Sequence, residues 1–474
     1  MNIVSSSVSE RLWFDWDSRE ALLRGIIESR LQESPPPEVP GYIVATYFFA
    51  LRTMLLKDAV EEISYLATSG VKHPPAGSLL DQCSAKPAGV DAFDSTGRLG
   101  LLHVAFPLKM LMQADGHLTS CDILHTIAGA GIFDVYESQD VRLVNLNIPQ
   151  EVIKTFPGPA HGPKGVRKIT GFAPDQPAFG TILKPTAGIT PDEVEFLVDE
   201  AAQCPLFLFV KEDEDLYPNL DYSPVEERVR RAIGAIAKAK DIRKGQGLLF
   251  APHITGAPHE IVHTAKRALD AGATGLMFSE TFATGSVRAV RELGKDRTQV
   301  PAIYGHNAGI CTRTRGIWRD VIDLLARLDG IDFRQTAPLK SGQPFLRPYG
   351  AEWHASERAL TKPIDGINPT MIVRAGGLDQ GNIILNLRDV EAREITENVI
   401  FLAGSAINSI KNSAGKYDPK IGAEAMMQAL EVHRTGEMND VSDEGHVAAL
   451  KQVAAARGHG ALRIALDQRY SGVS

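Results

Sequence analysis

Cysteine is scarce in this chain of 474 residues: Cys83, Cys121, Cys204 and Cys311 are all there is, with no CxxC or metal-like spacing. That argues against a disulfide framework and a thiolate metal site, and the four read as reduced, mostly buried thiols of a reducing compartment, the cytoplasm. Long apolar runs are missing too. Stretches such as 206–210 fall far short of the ~20 residues that a membrane helix needs. Nor is positive charge in excess. Fifty Lys and Arg against 58 Asp and Glu leave a net charge of -8, which speaks against a nucleic-acid surface. A local basic pocket for a phosphate stays compatible with that acidic exterior. The opening MNIVSSSVSERLWFDWDSRE has acidic residues and no apolar h-region, so it does not read as a signal peptide. A GxGxxG dinucleotide fingerprint is also lacking.

What is present is a length that suggests two domains and a composition, 44% hydrophobic and 23% charged, inside the globular range. Residues 1–40 read as a helical extension closed by SPPPEVP at 34–40, since proline lacks the amide donor and restricts its predecessor. Residues 41–155 mix strands at 42–51, 99–108 and 141–148 with helices at 56–68 and around 121–129. That order predicts an α+β, ferredoxin-like domain. From 156 to 440 the rhythm changes to short apolar runs alternating with helical stretches. Eight strands are expected at 179–183, 206–210, 248–251, 275–278, 302–304, 331–334, 371–374 and 399–402. Buried parallel strands are continuous apolar runs, and eight βα units predict a (β/α)8 TIM barrel. A doubly wound open sheet is the alternative. A helical segment, 441–474, is expected to pack outside the barrel.

In a barrel the active site lies at the C-terminal ends of the strands. Strand 1 runs into Lys184, strand 2 into Lys211-Glu212-Asp213-Glu214-Asp215, strand 3 into His253, strand 4 into Glu280 and strand 5 into His306-Asn307. Strands 7 and 8 run into Gly376-Gly377 and Gly404-Ser405. Ionisable groups and glycines therefore converge on one rim. Mg²⁺ prefers carboxylate oxygens, and Asp213 and Glu214 offer two. Lys211 joins them as a ligand only if its charge is lost, for example by carbamylation with CO₂. The alternative is a solvated acidic turn. The glycines let backbone amides approach a phosphate, or else serve tight turns. Lys184 suits an acid or an electrostatic clamp. His306 suits an acid, base or hydroxyl donor, or a structural histidine.

These residues resemble the RuBisCO large-chain superfamily. TILKPTAG (181–188) is similar to its first-strand signature and FVKEDED (209–215) to its second-strand metal motif. HITG (253–256), GHNAG (305–309), AGG (375–377) and AGS (403–405) follow in the expected order, and 141–149 resembles the strand closing the N-terminal domain. The resemblance spans about residues 41–440. It implies that Lys211 is carbamylated and holds one Mg²⁺ per active site with Asp213 and Glu214, and that Lys184 and His306 are catalytic. It also implies a phosphate cradle at Gly376, Gly377, Gly404 and Ser405, with His253 as a further candidate. A homodimer, or a larger assembly of dimers, would borrow the neighbour's N-terminal domain, with Glu62 and Thr68 the candidate contributors.

The departures are informative. Carboxylases carry a second lysine where Thr186 stands, and an asparagine near Gly131. Asn307, Ile310, Phe333 and Ala375 replace an arginine, two histidines and a serine. Arginine, histidine and serine normally bind the second phosphate, and a bisphosphate would bury charge with too few donors. Lys340 stands where a mobile-loop lysine is expected, but in an atypical PLKSGQPF context. The resemblance therefore implies a form IV type, RuBisCO-like protein with a mono-phosphorylated substrate. Its chemistry would be proton removal beside a carbonyl with Mg²⁺ stabilising an enediolate. The preferred substrate is 3-oxo-isoapionate 4-phosphate, cleaved by decarboxylation or by carboxyl transfer with hydrolysis. The alternatives are an enolase or isomerase of a methylthio-sugar phosphate in methionine salvage, and a non-catalytic phosphometabolite-binding protein. Against the enolase, no lysine stands between Asp122 and Arg142.

Overall fold

The computed structural model describes residues 16–283, 285–340 and 349–473. Of the expected N-terminal extension, residues 1–15 lie outside this set, while Trp16–Glu33 is a helix. It docks through Arg24, whose guanidinium sits 3.9 Å from the Trp318 ring centroid and 3.1 Å from Asp320.

The first domain is a four-stranded antiparallel sheet in the order Lys86–Ala92, Leu99–Pro107, Tyr42–Leu51, Ser138–Asn147. Three of these strands fall where apolar patterning predicts them. The fourth, KPAGVDA at the edge, went unseen because it is half-exposed along its length and carries Pro and Gly. Helix Leu56–Leu66 buries Leu56, Ala59, Val60 and Ile63, the spacing of one helical face. Helix Ser120–Ile127 starts at a reciprocal Thr119–Asp122 capping box.

The second domain is the barrel. Its strands, Ala178–Ile182, Phe207–Lys211, Leu249–Ala251, Gly275–Phe278, Ala302–Gly305, Phe333–Thr336, Met371–Arg374 and Val399–Ala403, are numbered 1 to 8 below. All are parallel, and each pairs with its sequence neighbours, strand 8 returning to strand 1. Strands 3 and 4 close the ring through one bridge, His253 with Met277, where Ile254 N–H donates to Met277 O at 2.9 Å. Alternation sorts the side chains. Phe209, Ala251, Met277, Tyr304, Val373 and Leu402 fill the interior, while Val210, Phe250, Phe278, Ile303 and Ile372 meet the helices. Inside, Phe209 packs 4.6 Å from Phe333 and 5.7 Å from Tyr304 between centroids. This apolar floor leaves polar side chains only the ends of the strands. Helices His446–Ala456 and Gly460–Arg469 pack onto the same outer core through Leu450, Ala454, Leu462 and Leu466. No helix among the described residues is long and apolar enough to cross a membrane.

Candidate active site

Continuing the alternation one step past the floor gives the site. Lys211 follows Phe209, His253 follows Ala251, and His306 follows Tyr304, so all three belong to the inward-facing set above the aromatic layer. The Lys211 side chain is 0% exposed, donates to Glu212 O at 3.0 Å and lies 3.6 Å from Glu214 Oε2. Burial pulls its pKa down, with the nearby Glu214 and Asp213 charges opposing the shift and Lys184 adding to it. A lysine whose neutral amine is favoured is a nucleophile for CO₂. Lys184 lies 2.5 Å from Asp213 Oδ2 and donates to Thr186 Oγ1 at 3.2 Å. Carboxylate oxygens of Asp213, Glu214 and Asp215 all lie within 4.8 Å of one another. This hard-oxygen set fits a Mg²⁺ ion, and a carbamate on Lys211 would bring one more oxygen to it.

The two histidines carry opposite tautomers. His306 Nδ1 accepts the Ala308 N–H at 3.1 Å, so its proton is on Nε2, which lies 3.2 Å from Glu214 Oε2. Burial, with Lys211 and His253 nearby, holds His306 well below the usual histidine pKa, so it is neutral. His253 Nδ1 lies 3.0 Å from the Leu216 carbonyl, which only accepts, so its proton is on Nδ1. Its Nε2 is therefore a bare lone pair, buried and without a hydrogen-bond partner. Burial lowers its pKa as well. The rim thus offers one imidazole donor and one imidazole acceptor.

Sequence reasoning missed what holds these groups. Glu212 points outward to Arg228, whose Nε and Nη2 donate to its two oxygens at 2.7 and 2.9 Å. The same carboxylate accepts the His253 N–H at 2.9 Å. Strand 4 offers Ser279, not Glu280, to the interior side, because Glu280 turns outward to the fully buried Arg334. Arg334 also donates to Asp323 at 2.6 Å. Gln335, unremarked in the sequence, accepts the Tyr304 hydroxyl at 2.7 Å. The period-2 register is the signal that would have found it.

Gly376 and Gly377 take φ of 87° and 85°, the left-handed region that costs an L side chain about 1–2 kcal/mol. Gly404 sits against strand 1: a Cβ there would lie 3.6 Å from Lys184 Cγ. Gly404 caps the short helix Ser405–Asn408, whose Asn408 ties the turn down by donating to Gly404 O at 3.1 Å and Ile182 O at 2.8 Å. Gly377→Leu is expected to raise the KM of a phosphorylated substrate roughly tenfold or more, by straining the turn and screening its amides. An unchanged KM in steady-state kinetics would remove Gly377 from the cradle.

Glu62 and Thr68 lie apart from this rim in the first domain. Glu62 pairs with Lys72 and accepts from Tyr65 at 2.7 Å, while Thr68 donates to Ser64 O and accepts from Ala85 N, both at 2.9 Å.

Residues 167–468 match the family model described as ribulose bisphosphate carboxylase large chain, catalytic domain. The chain belongs to the RuBisCO large-chain family. It is 29% identical over 331 residues to the ribulose bisphosphate carboxylase of Archaeoglobus fulgidus, covering 65% of this chain and 70% of that one. It is 34% identical over 251 residues to the 3-oxo-isoapionate-4-phosphate transcarboxylase/hydrolase of Xanthobacter autotrophicus, covering 53% and 54% respectively. Among solved structures, the octameric RuBisCO of Pyrococcus horikoshii superposes with a TM-score of 0.75 at 19% identity over 92% of this chain and 96% of that one. The rubisco-like protein MtnW of Alicyclobacillus acidocaldarius gives 0.72 at 23%, over 91% and 100%. Within this RuBisCO fold, Phe333 belongs to the aromatic floor and Ala375 is buried in the same interior cluster.

Proposed function

We propose that the protein is a Mg²⁺-dependent RuBisCO-like enzyme, not a ribulose-bisphosphate carboxylase, acting on a mono-phosphorylated β-keto sugar acid. The favoured substrate is 3-oxo-isoapionate 4-phosphate. The observation that carries this reading is the pairing of a buried Lys211 and its carboxylates with one glycine-lined cradle. Where the resemblance places the groups for a second phosphate, this chain has Phe333, packed into the floor, and Ala375, whose buried side chain has no donor. The similarity to relatives named for 3-oxo-isoapionate-4-phosphate chemistry, including the decarboxylase of Rhizobium etli at 26% identity over 357 residues, agrees with it.

Mg²⁺ held by Asp213, Glu214 and carbamylated Lys211 would supply electrostatic stabilisation of the oxygens that gain charge. The chain's residues do the rest. In decarboxylation the bond to the carboxyl carbon breaks, its electron pair moves toward the ketone oxygen, and a proton then returns to carbon. Lys184, an ammonium beside Asp213, is the proposed proton source. His306 Nε2–H faces the same carboxylates as a donor to a substrate oxygen, and His253 Nε2 accepts a substrate hydroxyl. A hydroxyl-free diketone would leave that buried acceptor unpaired, costing about 1–3 kcal/mol. The amides of Gly376, Gly377 and Gly404, with Ser405, hold the phosphate. As proposed for the assembly, a homodimer would bring Glu62 and Thr68 of the neighbouring copy over the rim.

The test is a ¹³C NMR time course with 3-oxo-isoapionate 4-phosphate, Mg²⁺ and bicarbonate, repeated with EDTA. Loss of substrate only with Mg²⁺ is expected; CO₂ release marks a decarboxylase, a phosphorylated acid the transcarboxylase/hydrolase. No turnover of this compound, with turnover of a methylthio-sugar phosphate, would move the enzyme to that substrate class.

A further inference from the structure

The glycines proposed to hold the phosphate lie in a seven-residue loop, 376–382, that grips the rest of the protein in three directions. Toward the strand-8 loop, Gln380 Nε2 donates to Ala406 O at 2.8 Å. Toward the strand-6 loop, Asn382 Nδ2 donates to Lys340 O at 2.6 Å, and also to Gly377 O at 2.7 Å within its own loop. Toward the far end of the chain, Asp379 accepts from Arg469 Nε at 3.0 Å and from the Tyr470 hydroxyl at 2.8 Å. Asp379 also closes the loop on itself: its carboxylate accepts from Gly381 N at 2.9 Å, and its own N–H donates to Asn382 Oδ1 at 2.9 Å. Asp379, Gln380 and Asn382 are 1%, 0% and 3% exposed. The phenol end of Tyr470 packs against the loop, where a Cβ on Gly381 would lie 2.5 Å from the ring.

Nothing in forming a turn after strand 7 demands this. A backbone with two successive left-handed glycines is soft, because glycine is not confined by a side chain. Amides that are to meet a phosphate must nevertheless be held to within about half an ångström. The buried carboxylate supplies the stiffness. Asp379 thus ties a carbonyl-pinning asparagine, held by its N–H, to Arg469 at the end of the last helix and to Tyr470 just after it, both held by its carboxylate.

We propose that Asp379, clamped by Arg469 and Tyr470 and acting through Asn382 on Gly377, is a positioning residue for the phosphate cradle, so that the C-terminal helix tunes how tightly the enzyme holds its substrate's phosphate. This rests on the reading of Gly376 and Gly377 as phosphate ligands. The clamp acts on ground-state binding of the phosphate, leaving the carboxylates around Lys211 untouched.

The experiment compares wild type with Asp379→Asn, Asn382→Ala and the milder Tyr470→Phe. It measures inorganic phosphate binding by calorimetry with Gly376 and Gly377 amide shifts, Mg²⁺ binding, and hydrogen exchange over 376–382. Asp379→Asn is expected to weaken phosphate binding roughly tenfold or more, the size of effect that supporting groups have on a held ligand. KM should rise more than kcat falls, Mg²⁺ affinity should stay unchanged, and exchange should quicken across the loop. Tyr470→Phe, which keeps the ring, should give a smaller change in the same direction. Folded variants with wild-type phosphate affinity and wild-type exchange would overturn the proposal. Phosphate that leaves the glycine amides of wild type unshifted would instead refute the cradle. The role in phosphate binding falls with it, and the exchange data then decide only whether Asp379 braces the loop: faster exchange in Asp379→Asn shows that it does, and unaltered exchange that it does not.

Discussion

Lys211→Ala is expected to lower Mg²⁺-dependent turnover by roughly 10³-fold or more, the scale on which loss of a group stabilising developing charge is felt. The reason lies in where this lysine sits. Its side chain is 0% exposed in the top interior layer, with Glu214 and Asp213 the opposing charges around it. An ammonium in that place would repel a divalent cation, whereas a carbamate would complete its oxygen set. Alanine removes both the ligand and the means of making it, so the carboxylates alone must hold the ion. Two measurements check this together with kinetics: Mg²⁺ titration should show weakened binding, and ¹³CO₂ NMR should lack the carbamate resonance expected of wild type. Full activity in the variant would overturn the assignment of the metal site.

Glu212→Ala should do its damage differently, through the fold. Glu212 and Arg228 are both fully buried and joined by two hydrogen bonds. Removing one partner of such a pair leaves an uncompensated buried charge, at a cost of about 3–5 kcal/mol. Here the carboxylate also anchors the His253 amide, so the strand-3 end loses its tether. Replacing both partners by apolar residues of similar size, Glu212→Leu with Arg228→Met, should recover most of the stability. Denaturant unfolding of the three proteins reads this directly. A single variant within about 1 kcal/mol of wild type would show that the pair does not hold the site.

Much of the architecture was legible because its signals are local. All eight barrel strands stand where short apolar runs predict them, since strands covered on both faces need continuous apolar sequence. The rim residues Lys184, Lys211, Asp213 and His306 were legible because they directly follow those runs. What escaped depends on direction or distance. Glu280 follows strand 4 as plainly as His306 follows strand 5, yet a one-residue difference in register turns it outward to Arg334. Glu212 stands inside the acidic run at 211–215 and serves the helix behind it. The edge strand Lys86–Ala92 has no apolar face to announce it. Asp379 meets Arg469 and Tyr470 across about ninety positions, a pairing that no periodicity encodes.

The single bridge between strands 3 and 4 gives the barrel an unequal circumference. Every other neighbouring pair shares two or more paired residues, whereas this one meets only at His253 and Met277. The ring is therefore less a hoop than a clasp, and its fastening is a residue whose side chain belongs to the inward-facing rim set. If His253 accepts a substrate hydroxyl as proposed, scaffold and chemistry share that one joint, and a molecule settling there would lean on the catch that keeps the barrel shut.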